Sequence, residues 1–544
     1  MKWLPRLAWL FVLVLLGTGF YHLRKNREPR IIAATQEKIL LIGNGAELES
    51  LDPQVTTGVP ERQVTSAIFE SLIAYHPEDD YLDAPGAAAR WEHQDFRIWT
   101  FHLQPNARWS DGVPVTAHDF TYAFQRILTP ALASQYAEML YFMEGAEAFN
   151  KGENQDFSKV GVKALDDLTL QVTLVNPTPY FTSVIKHHSW QPVPRHVIEK
   201  TGGMIDRFST WTRPEHIVSN GPFKLQDWRF MQWLKVERNP HYWDAATVRL
   251  DGIHYFPITN ESTEDRAFRD GQLHATNTVP LDRIPAYRAN HPEVYREETQ
   301  LAVYFYRLNT TLKPFNDVRI RKALALSIDR ESIIRNVLRG AQRPAVGFTP
   351  TAKKGYEGVD LMRFDPAQAK ALLAEAGYPD GKGFPKFEIL INTMEAHRLI
   401  AQAVQSMWRE HLGIDVGIIN QDWQVYLDSQ RRMDYEISRA AWSGDYMDPM
   451  TFLGMWTKDN GNNQTGWHSS RYEELLRQSS TIADPPQRFA VLKEAETLFL
   501  NELPVIPVYW YARSSLVRPE VKGMRSSLLD DRPYKWFDLQ APSP

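Results

Sequence analysis

The sequence predicts an α/β protein divided into two or three lobes. Three observations carry that expectation: a length of 544 residues, a strand–helix–strand unit in the second half, and a first half richer in strand and turn. A chain this long buries a large core but divides it, because single cores stop growing at roughly 250–300 residues. Hydrophobic residues make up 43% and charged residues 23%, the balance of a folded chain.

The elements can be read in order. "KILLIG" (38–43) is a buried strand. "LTLQVTLV" (168–175) alternates, with Leu168, Leu170, Val172 and Leu174 on one face. "DPAQAKALLAEAGYP" (365–379) is a helix with Asp365 placed to cap it, Pro366 in its first turn and Gly377 to end it. "KFEILIN" (386–392) is the next strand, "RLIAQAVQSMWREHLG" (398–413) a helix closed by Gly413, and "IDVGII" (414–419) a further strand. Strand, helix and strand across 386–419 form a βαβ unit, so parallel sheet is expected there.

The N-terminus points to export. "MKWLPR" is basic, "LAWLFVLVLLGTGFY" (7–21) is almost wholly apolar, and "HLRKNREPR" is basic again. The run is short of the ~20 residues that span a bilayer comfortably and fits a signal h-region. Gly17 and Gly19 form a poor small-x-small cleavage site, and the cations that follow favour an uncleaved anchor as the alternative. Residues 1–35 are assigned to a signal peptide or N-terminal anchor.

Composition excludes several classes. With no cysteine, the chain has no thiol nucleophile, Cys-ligated zinc, iron–sulfur cluster, disulfide or lipoprotein acceptor. A net charge of −5 without a long basic stripe argues against nucleic acid. The 17 Trp and 22 Tyr residues suit a broad recognition cleft as well as a core.

Catalytic patterns are sparse. HExxH, GxSxG, a P-loop and a complete GxGxxG are missing, and "KHHSW" (186–190) lacks a third metal ligand. "SVIK" (183–186) and "KTG" (200–202) are nearly adjacent, whereas serine acyl-enzymes draw such motifs from distant segments. The remaining enzyme reading is a glycosidase with Asp445 and Asp448 as its carboxylate pair. Gly444 and Pro449 favour a loop there, which places residues three apart poorly for that chemistry.

Those two acids lie in "RAAWSGDYMDPMTFL" (439–453), among aromatic and small residues that suit a pocket for a cation or a sugar. This stretch is one of several that resemble a known family in co-linear order. "NGAELESLDPQVTTGVPE" (44–61), "WTFHLQPNARWSDGVPVTAHDFTYAFQR" (99–126), "SNGPFKLQDW" (219–228) and "VERNPHYWDA" (236–245) come first. "PFNDVRIRKALALSIDR" (314–330), "INQDWQVYLDS" (419–429) and "RAAWSGDYMDP" (439–449) follow. Together they resemble the extracytoplasmic peptide-binding proteins of ABC importers.

The resemblance implies a two-lobed periplasmic-binding-protein fold with an extra inserted domain, and no cofactor, metal or catalysis. Lobe I would take 36–69, 196–297 and 514–544, the insert 70–195, and lobe II 298–513. Chain crossings near "LAVYFYRLN" (301–309) and "PVIPVYWYAR" (504–513) would form the hinge. The expected partners are short peptides and the permease of an inner-membrane ABC transporter, with the protein a periplasmic monomer. Cell-wall (murein) peptides are the alternative ligand on the same fold.

Site residues carry over by the same resemblance. Asp445 falls where an aspartate receives the ligand's α-ammonium. Ala441, Ser443 and Val59 match backbone contacts to an extended peptide. Arg439 and His397 match positive groups that meet the peptide carboxylate, and Trp423 and Tyr136 match cleft aromatics, while Trp442 suits cleft wall and core equally. Two cations are displaced: Gln430 stands where an arginine is expected, with Arg431 beside it, and Leu312 where a lysine is expected, with Lys313 next. Asp448 carries no ligand role.

Overall fold

The computed structural model describes residues 29–351, 355–458 and 460–541. The basic–apolar segment assigned to export lies outside them up to residue 28. Among the described residues, no helix is long and apolar enough to cross a membrane. The expected division at residue 35 falls inside a helix, Arg30–Gln36. Its Ile31 and Ala34 pack against Leu41, and the Ile31 N–H donates to Gly271 O at 3.1 Å. The folded body therefore already includes residues that read as the flank of a signal.

Two large apolar cores organise the chain. Into the first go β1 (Ile39–Gly43), β2 (Ala88–Gln94), β3 (Ile98–Leu103), β4 (Val162–Asp166), β5 (Thr169–Thr173), β6 (Phe223–Arg229), β7 (Trp233–Arg238) and β8 (Gly252–Phe256). They form two four-stranded sheets, ordered β1-β8-β7-β6 and β2-β3-β5-β4. The alternation read in 168–175 is real but starts late: Leu170, Val172 and Leu174 are buried, whereas Leu168 is exposed just before β5 begins.

The second core surrounds a six-stranded sheet. Its strands are β9 (Tyr295–Leu308), β10 (Arg343–Pro344), β11 (Phe387–Asn392), β12 (Val416–Gln421), β13 (Ile437–Ser443) and β14 (Val505–Leu516), in the order β10-β14-β9-β13-β11-β12. The predicted βαβ unit is present: β11 and β12 pair in parallel, joined by the helix Glu395–Leu412. That helix stops at Gly413, whose φ of +69° suits glycine, and a Cβ there would meet Asp380 O at 2.5 Å. Asp365 caps the preceding helix, Pro366–Glu375, by accepting the Gln368 N–H at 2.9 Å.

The two bodies are joined by β9 and β14, which contain both stretches read as chain crossings. They pair antiparallel from Tyr295↔Leu516 to Arg307↔Val505, with register breaks at Thr299/Val303 and Tyr304/Phe305. Ala275 then bridges Ile42 of β1 and Val517 just beyond β14.

Inside the first core, Arg126 is fully buried on the helix Ala117–Leu128. It donates to both Asp52 oxygens at 3.2 and 2.7 Å and to Gln54 at 2.7 Å, and Trp211 Nε1 also donates to Asp52 at 3.1 Å. Removing one member of such a pair strands the other in a dry site, at about 3–5 kcal/mol. Arg126→Ala should lower the unfolding free energy of ligand-free protein by about that amount in urea titrations.

Candidate ligand-binding site

Asp445 sits in the turn after β13, held by its own neighbourhood. Its N–H donates to Thr451 Oγ1 at 2.8 Å, and the Thr451 hydroxyl returns a bond to Oδ2 at 3.2 Å. Tyr136 donates its hydroxyl to Oδ1 at 3.3 Å. His187 Nε2 faces the same oxygen at 3.5 Å. The Ser189 N–H donates to His187 Nδ1, so Nδ1 is an acceptor and the ring proton is on Nε2, toward the carboxylate. Burial, followed by His188 and Arg62, holds His187 neutral.

This carboxylate is therefore surrounded by neutral donors. Burial pushes it up to about 6, against the opposing pull of Arg62 and the hydrogen bonds from Thr451 and Tyr136. Arg62, on the helix Val59–Ile68, is itself turned to Leu529 O at 2.7 Å and Asp531 at 3.8 Å. Among the described residues, no Lys or Arg lies within ion-pair distance of Asp445. Its carboxylate borders a cavity of about 380 Å³. Glu138, Phe142 and Tyr180 line one wall, and Trp442, Asp445 and Tyr446 the other.

Asp448 has a different fate. Arg488 grips both its oxygens at 2.6 and 2.7 Å, with both side chains buried, and the guanidinium lies 4.4 Å from the Tyr180 ring centre. The carboxylate pair required by the glycosidase reading is thus not formed, because one member is tied up behind the cavity wall.

A second feature is the edge of β13. On one side it pairs with β9 from Ile437 to Ser443, but β11 pairs with it only at Ile437 and Ser438. Arg439 O points away from β9, to Tyr426 OH and to Gln430 Nε2 (the latter at 2.9 Å). Backbone polar groups alternate along a strand, so Ala441 and Ser443 direct theirs to that same side, where no strand covers them.

Arg439 is 8% exposed and donates to Asn392 at 3.2 Å and Tyr511 at 3.0 Å, with its Nε unpaired. The guanidinium also packs 5.0 Å from the Tyr304 ring centre. His397, expected as a cation, is neutral here: burial and then Arg439 hold it well below its usual range. Gln430 is buried and bonds Tyr426, Ser438 and Arg439, fastening the start of β13. Arg431, one position on along the same helix, faces solvent, as consecutive helical residues must point ~100° apart. Lys313 is exposed as well, and neither cation lines the cavity. Trp423 is half exposed and stacks on Tyr426 at 5.6 Å, and Val59 is the partly exposed first residue of its helix. Sequence reasoning missed Glu138, His187 and Arg62 as neighbours of Asp445. "KHHSW" was the one available signal, and it had been weighed for metal chemistry.

A half-open, aromatic-walled cavity beside an uncovered strand edge is the anatomy of a protein that binds between two bodies. Comparison with known proteins agrees. Residues 84–464 match the family described as bacterial extracellular solute-binding proteins, family 5 Middle. The periplasmic oligopeptide-binding protein OppA of Salmonella typhimurium is 37% identical over 504 residues, 91% of each chain. Haemophilus influenzae OppA in complex with RPPGFSPFR superposes with a TM-score of 0.85 at 34% identity, covering 93% of this chain and 99% of that one. The Escherichia coli murein tripeptide-binding protein MppA gives 0.86 at 33% identity, covering 92% and 98%. The unliganded open form of MppA gives 0.68 at 33% identity, covering 93% and 98%. The chain belongs to family 5 of the bacterial extracellular solute-binding proteins, and its two bodies are the two lobes of that fold in an arrangement unlike the open form.

An acid whose folded-state pKa lies above its unfolded value favours the fold only while protonated. That contribution is complete below the usual carboxylate range and lost as pH rises through about 6 for Asp445. Asp445→Asn should therefore stabilise the ligand-free protein by about 2–3 kcal/mol at pH 8, with the gain vanishing below about pH 4. Urea unfolding at the two pH values measures it.

Proposed function

We propose that the protein is exported to the periplasm, captures short peptides in the cleft between its lobes, and delivers them to the permease of an ABC importer. The carrying observation is Asp445, a carboxylate at the cavity wall with neutral donors and no paired cation of its own. Such a group is satisfied by a cation that arrives with the ligand, and every free peptide brings one at its amino terminus. Ala441 and Ser443 would receive the peptide backbone as an added strand, which gives affinity through groups common to all sequences. Arg439 would meet the carboxylate end, with His397 beside it gaining a proton as that negative charge arrives.

Within this reading, lobe I comprises residues 36–69, 196–297 and 514–544, the insert 70–195, and lobe II 298–513. The strands β9 and β14 act as the hinge, and ligand contacts to both sides favour closure. Small-angle scattering of stripped protein should show a smaller radius of gyration on adding a peptide whose binding is established independently. An unchanged radius at saturation counts against closure.

The assignment of Asp445 is tested from both sides of the contact. Asp445→Ala should weaken a free peptide by on the order of 30-fold or more, since stranding one partner of a desolvated pair costs roughly 2–5 kcal/mol. N-acetylating the peptide should hurt the parent protein similarly and the variant much less. Calorimetry on the four combinations gives the coupling. Simple additivity would mean that Asp445 does not touch the amino terminus.

A further inference from the structure

The cavity beside Asp445 is larger than an ammonium group needs. Its volume of about 380 Å³ is at the lower end of the roughly 300–1,000 Å³ typical of small-molecule sites. Its lining includes three acids, Glu138, Glu147 and Asp445, and no Lys, Arg or His. Glu147 is exposed and engaged by Lys151 at 2.8 Å. Glu138 is different: it accepts from the Asn462 amide at 3.0 Å, and among the described residues no cation lies within ion-pair distance of it.

The space between the acids is apolar, with Met139, Phe142, Trp442 and Met455 among the lining residues. It suits an alkyl stem that ends in a charge, because long basic side chains bury their methylenes along such walls. The other acid, Asp445, is backed by a buried histidine that lies outside the lining. His187 is 98% buried (2% exposed), and its Nε2 has no hydrogen-bond partner yet is aimed at Asp445. The His187 N–H thus faces Asp445 without closing a hydrogen bond, while Tyr136 and Thr451 already donate to that carboxylate and no cation joins them.

We propose that this cavity selects peptides whose first residue is lysine or arginine, Glu138 meeting the side-chain cation while Asp445 meets the α-ammonium. The inference rests on the peptide reading above and adds the class of ligand. Burial and then the neighbouring Asp445 push Glu138 up to about 7, as befits an acid in a dry site without its counter-charge. One ligand carrying two cations a side chain apart satisfies both carboxylates. A peptide with a neutral first residue leaves Glu138 with the Asn462 and Asn460 amides and no counter-charge.

The test compares Lys-Ala-Ala with norleucine-Ala-Ala, which keeps the stem and drops the side-chain charge. Calorimetry uses stripped full-length protein, and the readout is the affinity ratio within each protein, so altered folding does not enter it. The parent should prefer the lysine peptide by about tenfold or more, as expected of a shielded charge pair. Glu138→Gln should bring the ratio to about twofold or below, and Glu138→Asp, which keeps the carboxylate, should retain part of the preference. Equal affinity of the parent for both peptides would overturn this inference and leave the peptide reading standing. A ratio unchanged in Glu138→Gln would likewise remove Glu138 from the recognition. Failure of both peptides to bind the parent would overturn the peptide reading and this inference with it.

Discussion

A carboxylate kept in an apolar wall without a counter-ion is the constraint on which the cleft depends. Water stabilises an exposed aspartate, whereas Asp445 has a tyrosine, a threonine and a neutral histidine beside it, and Arg62 acts on it only from beyond ion-pair distance. None of these cancels its charge. The surroundings are what keep it in place: the turn is closed by Thr451, and the strand before it is clamped by Gln430 and Tyr426. Behind it, the Asp448–Arg488 pair supports the Tyr180 wall. A rigid frame of this kind holds a carboxylate without a counter-ion at one fixed place in the cavity wall.

Much of this architecture was legible in the chain. Gly413 and Asp365 punctuate helices in ways that follow from local geometry, so the βαβ unit could be placed within a few residues. Asp445 was visible because it is an acid inside a stretch with a family likeness. What escaped was assembled from far away. His187 faces the aspartate from the other half of the chain, and Glu138 is 324 residues from Asn462. No periodicity or spacing encodes such a meeting. Arg431 and Lys313 failed to reach the cavity for a simpler reason: a neighbour in sequence is not a neighbour in direction once the backbone is fixed.

The connection between the lobes also limits how they move. Because β9 and β14 are hydrogen-bonded partners along most of their length, the two crossings bend together. Their register breaks, at Thr299/Val303 and Tyr304/Phe305, are where ladder bonding is interrupted and bending is easiest. The large difference between the two MppA comparisons, 0.86 against 0.68, is what a change in the relative position of otherwise similar lobes produces.

The uncovered edge of β13 has a consequence of another kind. A bare strand edge is ordinarily a hazard, since it invites pairing with any exposed strand of another molecule. Here the edge lies beside the aromatic-walled cavity, with Ala441 half-buried and Ser443 exposed. The groups it offers are those of the backbone, which an extended chain of any sequence can pair with. An edge of this kind discriminates by backbone shape, extended against folded, before any charge or side chain is read.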